Sequence, residues 1–176
     1  MKNEAVSINN HTYQLGNPEA NVFLIEYGDY QCPHCALAQP FVHKLVDHFN
    51  DQLLFEFRNF PLREIHPMAM ISARSAEAAG LQGKFWEMHN LIFKNQYELS
   101  SDYTTYLAEE LELNIDQFLK DRAADYVLGK IEHDFETGVR SGVNRTPTFF
   151  VNGERFNFYN ETYESLYKHI MNNLPK

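Results

Sequence analysis

Basic residues are scarce in this chain. Fifteen Lys and Arg stand against 24 Asp and Glu, a formal net charge of −9 at pH 7. The few cations form no cluster, which argues against a phosphate backbone, and so against a nucleic acid, as partner. No apolar run approaches the ~20 residues that a membrane-spanning helix needs. Met1 to Asn10 lacks the apolar stretch of a signal peptide, so the expected address is the cytoplasm. The alternative is a periplasmic protein whose leader has been removed. Without such a leader, the Asn-x-Thr matches at Asn10, Asn144 and Asn160 carry no meaning as glycosylation sites. No internal repeat and no low-complexity segment occurs. Only two cysteines are present. In a cytosolic chain, two cysteines point to redox or metal chemistry rather than to a structural disulfide.

Those two cysteines stand together, as Cys32-Pro33-His34-Cys35. Two thiols separated by two residues can close a small disulfide ring and reopen it. A helix beginning at the first thiol would aim backbone N–H groups and the positive end of its dipole at that sulfur. This favours the thiolate, the nucleophile of disulfide exchange. The same spacing also serves as half of a zinc site, whose other ligands would have to be histidines because no cysteine remains.

The rest of the chain is ordinary for a globular domain: 176 residues, 44% hydrophobic and 14% aromatic. Asn21 to Glu26 reads as a strand buried on both faces. A helix is predicted from Pro33, with Leu37, Phe41, Leu45 and Phe49 four apart on its apolar stripe and Pro40 expected to kink it. Leu53 to Phe57 reads as a second strand, which implies a right-handed parallel crossover. From His66 to Gly142 the pattern is helical: Pro67 to Gly80, Lys84 to Phe93, a helix capped by Ser101, one capped by Asn114, and one carrying Val127, Leu128, Ile131, Phe135 and Val139. Strands return at Thr148–Val151 and Glu154–Phe158 around Asn152-Gly153, a strong hairpin signal. An amphipathic helix over Asn160–Asn173 closes the chain. The order is β-α-β, a helical block, then β-β-α.

That order, with Pro33-His34 between the cysteines and Thr146-Pro147 before the hairpin, resembles the DsbA family of thiol–disulfide oxidoreductases. Four segments carry the likeness to its soluble bacterial branch: Glu26 to Cys35, Arg58 to Leu62, Gly83 to His89, and Thr146 to Gly153. The resemblance runs from about Gly16 to Leu174. It implies an α/β thioredoxin fold with an all-helical insertion: residues 1–65 as the N-terminal part, 66–142 as the insertion, 143–176 as the C-terminal part.

On this reading Cys32 is the nucleophile, partly exposed at the helix N-terminus, and Cys35 is the resolving thiol one turn deeper. His34, as a cation or a donor to sulfur, would stabilise the Cys32 thiolate; otherwise it simply faces solvent. Pro33 shapes the turn. Glu26 ends an apolar strand six residues before Cys32, where a buried carboxyl should have a raised pKa and could move a proton to and from Cys35. The plainer alternative is an exposed strand-end acid. The resemblance implies a cis Thr146–Pro147 bond beside Cys32, leaving the Thr146 backbone to pair with a substrate strand and the Pro147 ring to shield the thiols from metal. Many relatives carry a lysine beside the buried acid, about where this chain has Glu56, so proton transfer is either wired differently or served by Arg58. His66, His89 and Trp86 read as core or cap residues of the insertion.

The implied function is disulfide exchange between Cys32/Cys35 and protein or small-thiol substrates through a mixed disulfide, with no bound cofactor and no metal. Partners would be thiol or disulfide substrates and a redox partner protein or glutathione. Two alternatives stay open: a glutathione-linked transferase or isomerase on a similar scaffold, and a metal-binding or redox-sensing module.

Overall fold

The structure, a computed structural model, describes residues 13–175; Met1 to Asn10 lie outside the described residues. In chain order the elements are β1 (Gln14–Gly16), β2 (Val22–Gly28), α1 (Pro33–Phe49), β3 (Leu53–Asn59), α2 (Ala69–Gly80), α3 (Phe85–Lys94), α4 (Ser101–Glu110), α5 (Ile115–Ala123), α6 (Asp125–Arg140), β4 (Thr148–Val151), β5 (Glu154–Arg155) and α7 (Tyr163–Asn173). The strands form one sheet in the order β1-β3-β2-β4-β5. β2 and β3 are parallel, and every other pair is antiparallel.

β2 lies in the middle of this sheet and is covered on both faces, which is why Val-Phe-Leu-Ile reads as a continuous apolar run. Leu24 joins Leu45, Phe55, Phe57 and Met88 in the larger core, under α1 and the helical block. Ile25 and Tyr27 join Phe60 and Phe150 in a smaller one, backed by Phe135 of α6. α2 is the hub of the helical block, touching α3, α4, α5 and α6. Its alanines at 69, 73, 76, 78 and 79 are fully buried there, and small side chains let several helices approach one.

The expected order of elements holds, with local differences. The edge strand β1 has no counterpart in the sequence reading, because three residues are too few to show alternation. Its place is set by tertiary contacts: Trp86 Nε1 donates to the Gln14 carbonyl at 3.1 Å, and the Tyr13 and Phe85 rings stack at 4.1 Å. α1 continues through Pro40 to Phe49, and its buried face is Cys35, Ala38, Gln39, Val42, Leu45, Val46 and Phe49, whereas Leu37 is 57% exposed. β5 stops at Arg155, and Phe158, expected in that strand, is 84% exposed. Ser100 rather than Ser101 caps α4, its hydroxyl accepting from Tyr103 N at 3.0 Å. Asn114 caps α5 as its sequence position implies, and Thr162 starts α7.

Candidate active site

The loop after β2 delivers the two cysteines to the start of α1. Cys32 is the helix N-cap in extended conformation, and Pro33 takes the first helical position, where its missing N–H costs nothing. Both thiols are free. Cys32 is only 4% exposed, less than the sequence suggested, because the Thr146–Pro147 segment lies against it: Cys32 Sγ sits 3.4 Å from the Thr146 carbonyl. The Thr146–Pro147 bond is cis. Gln96, from the turn after α3, holds the approach to the motif from below, its Nε2 donating at 2.9 Å to the carbonyls of both Tyr30 and Cys32. Cys35 is fully buried and its sulfur accepts from Asp29 N at 3.4 Å.

The two thiols titrate in opposite directions. Cys32 is lowered to about 5, first by the hydrogen bond from Cys35 and then by Thr146 and the backbone N–H groups of Cys35 and His34, against the opposing effect of burial. Cys35 is pushed well up by burial, by its bond to Cys32 and by the neighbouring charge of Glu26. This split biases Cys32 toward the thiolate and leaves Cys35 holding its proton.

Glu26 is fully buried in the centre of the sheet, and burial pushes its carboxyl up to about 8, opposed chiefly by a hydrogen bond from Gln39. Gln39 Nε2 donates to Glu26 Oε2 at 3.3 Å. Gly28 makes room for this carboxyl: a Cβ there would lie 2.3 Å from the Phe57 ring and 3.0 Å from Glu26 Oε1. Gln39 continues to His89, and His89 to Tyr30, at 2.8 and 2.9 Å. All of these side chains are buried.

His34 reaches Cys32 through its backbone N–H, while its ring is turned away: Nδ1 lies 3.0 Å from Glu161 Oε1 on an exposed rim. A cleft of about 330 Å³ opens beside the thiols, lined by His34, Arg145, Thr146, Pro147, Tyr159 and Glu161 among others. Among the described residues no group of three or more His, Cys, Asp or Glu lies together as a metal site would need.

Residues 8–172 match the family model described as thioredoxin. The chain belongs to the thioredoxin family. Among solved structures, a thioredoxin-like oxidoreductase from Silicibacter pomeroyi superposes with a TM-score of 0.79 at 26% identity, covering 93% of this chain and 92% of that one. Alpha-DsbA1 from Wolbachia pipientis gives 0.81 at 21% identity, covering 98% and 95%. BdbD from Bacillus subtilis gives 0.80 at 20% identity, covering 92% of each chain. The fold is therefore the DsbA-like form of the thioredoxin fold, helical insertion included. Curated relatives include proteins named Na(+)/H(+) antiporter NhaA: 42% identity over 140 residues in Salinispora arenicola and 37% over 140 in Herminiimonas arsenicoxydans. The alignments take in 80% of this chain, which spans about a fifth of those relatives' length (21% and 22%).

Within this thioredoxin-family fold, Glu56 and Arg58 do not take the place that the sequence suggested beside Glu26. The parallel register sets Ile25 opposite Glu56, Glu26 opposite Phe57 and Tyr27 opposite Arg58. Alternation then puts Glu56 and Arg58 on the other face of the sheet. There Arg58 Nε bonds Glu56 Oε1 at 2.6 Å and Arg58 Nη1 donates to Tyr27 Oη at 2.9 Å. Of the insertion residues, His66 bonds Asp29 at 2.9 Å, Trp86 pins β1, and His89 is in the core but linked to Glu26. Gln39 escaped the sequence reading. Its signal was a polar residue four positions after Cys35, on the apolar face of α1.

Proposed function

We propose that this protein is a thiol–disulfide oxidoreductase in which Cys32 exchanges disulfides with protein thiols and Cys35 resolves the mixed disulfide. The observation that carries it is the divided thiol pair: Cys32 biased to thiolate at a helix N-terminus, Cys35 neutral behind it, and a protonated carboxyl at Glu26 against Cys35. In the oxidising direction, a substrate thiolate attacks Cys32 Sγ of the disulfide. The Cys32–Cys35 bond breaks, its electron pair goes to Cys35, and Glu26 supplies the proton. A second substrate thiolate then attacks the substrate sulfur of the mixed disulfide and releases Cys32 as a stabilised thiolate. A carboxyl that is mostly protonated at pH 7 suits this direction, since it acts as the acid. The cleft beside Thr146 is where a substrate strand would lie, and glutathione or a partner protein would reset the thiols.

Set in the cytoplasm, such a protein would be re-reduced between turnovers; set in the periplasm, it would deliver its disulfide. The antiporter name of the curated relatives is not carried over. The segment shared with them falls mostly within the thioredoxin match, and no helix among the described residues is long and apolar enough to cross a membrane. The test is oxidation of a dithiol peptide. Cys32→Ser should abolish it, and reduced Cys35→Ser, offered a disulfide-linked peptide dimer, should attack it with Cys32, release one peptide thiol and accumulate a mixed disulfide on Cys32 visible by intact mass. Absence of that adduct, or zinc retained by anaerobically purified protein, would sink the proposal.

A further inference from the structure

The helical insertion reaches the proton-bearing carboxyl through a buried chain of side chains that the exchange chemistry does not itself require. Gln39 lies one helical turn after Cys35, 6% exposed. An amide has one donor end and one acceptor end. Gln39 Nε2 donates to Glu26 Oε2, so Gln39 Oε1 faces His89 Nε2, at 2.8 Å, and that nitrogen must carry the hydrogen. Nδ1 of a neutral His89 is then an acceptor, and Tyr30 Oη, 2.9 Å away, must donate to it. The ring is held in place by Phe57, Trp86 and Phe93, with centroids 4.7 to 5.0 Å away. Burial holds His89 neutral, well below the usual histidine range. Glu26 Oε1, by contrast, is buried without a hydrogen-bond partner.

We infer that Tyr30, His89 and Gln39 are positioning residues for Glu26: their chain keeps Oε2 as an acceptor, so that the proton exchanged with Cys35 is carried on Oε1. The inference rests on the proposed exchange reaction and names the residues that aim its proton. When Cys35 leaves as thiolate, Oε1–H gives up its proton, and the negative charge left on the carboxylate is met by Gln39 N–H. In the reverse step Cys35 returns the proton to Oε1 as it attacks Cys32. The ionisable groups facing Glu26 are Cys32 at the N-cap of α1, Cys35 within α1, Tyr30 before it, and Tyr159 after β5. His43 of α1 faces His89.

The test has two arms on the intact chain, the first with both thiols reduced. Nitrogen-15 spectra should show His89 as the Nε2–H tautomer from pH 6 to 8, and Tyr30→Phe, which deletes one oxygen, should relax that preference. An Nδ1–H tautomer in the unmodified protein would overturn the inference, because the chain would then run the other way. In the second arm, Cys32 is loaded with a small thiol and its release by Cys35 is followed against pH. Release should show an inflection near Glu26's value of about 8. Gln39→Leu should move that inflection up by about one unit and slow release at pH 7 about tenfold, the size expected for losing one hydrogen bond to a charged group. In a Glu26→Gln background the same substitution should change nothing further. Slowing of equal size in both backgrounds would mean that Gln39 merely supports the fold. If Glu26→Gln alone leaves release unchanged, the exchange mechanism fails rather than the chain. If only Gln39→Leu leaves it unchanged, the chain fails.

Discussion

Glu26 is a carboxyl with no exposure to water, and burial decides its charge. Its folded pKa, about 8, lies above the unfolded value of ~4.3. The stability tied to the neutral carboxyl is complete below ~4.3 and is lost as pH rises through about 8. At pH 7 the loss is about 3 to 4 kcal/mol. Glu26→Gln keeps the shape and the bond from Gln39 but cannot ionise. It should melt higher than the parent at pH 7, with the gain disappearing toward pH 4; calorimetry showing no gain at pH 7 would mean that the carboxyl is solvated. Cys32 and Cys35 differ in the same way by environment rather than by type. A brief iodoacetamide pulse on the reduced protein near neutral pH should label Cys32 and spare Cys35, because only Cys32 combines a lowered pKa with any surface. Peptide mass mapping with the label mainly on Cys35 would reverse the assignment.

The elements meet at polar contacts as well as apolar ones. Lys130 of α6 bonds Asp134 at 2.5 Å and Glu77 of α2 at 3.2 Å, while Asn59 at the end of β3 donates to both carboxylates. This cluster ties two helices of the insertion to the sheet. Lys130→Met would leave two buried carboxylates facing each other without their cation, at a cost of about 3 kcal/mol or more. Urea unfolding should show that loss, and a loss below about 0.5 kcal/mol would place the cluster with ordinary surface pairs. The elements also show how far local pattern reaches. The Asn114 cap and the Asn152-Gly153 hairpin were legible because the side chains that make them are sequence neighbours. The stripe on α1 was displaced because Leu37 matched the spacing while Gln39, a polar residue, held the buried face to meet Glu26 and His89. Strand β1 was invisible because its partners are Leu54 to Glu56 and Trp86, far along the chain.

For the whole molecule the decisive quantity is which redox state is the more stable. Cys32 has a folded pKa of about 5, below its unfolded ~8.5. The stability it adds to the reduced form is complete above ~8.5 and is lost as pH falls through about 5. At pH 7 it amounts to about 2 to 3 kcal/mol, the lower end allowing for solvent screening near the surface. Against it, closing a ring of four residues restricts the unfolded chain by only ~1.9 kcal/mol in the loop-entropy estimate. The reduced protein should therefore melt above the oxidised protein at pH 7, and the gap should shrink and reverse as pH falls toward 5. Scanning both forms by calorimetry from pH 4 to 8 tests this. A higher-melting oxidised form at pH 7 would make the protein a reductant. The same sign bears on the compartment, since a protein more stable when reduced tends to give its disulfide away.

Apart from the edge strand β1, the sequence alone determined the order of the elements, and it placed the cysteine pair and the strand-end acid, because each depends on residues adjacent in the chain: Cys32 through Cys35 on a helix start, Glu26 at the end of an apolar run. It did not determine which side chains meet Glu26. That depends on the parallel register between β2 and β3, which sends Glu56 and Arg58 to the opposite face, and on the docking of α3, which brings His89 to Gln39 across 50 residues. Alternation makes a face assignment change with every single-residue shift in pairing, and only the packed sheet fixes that shift.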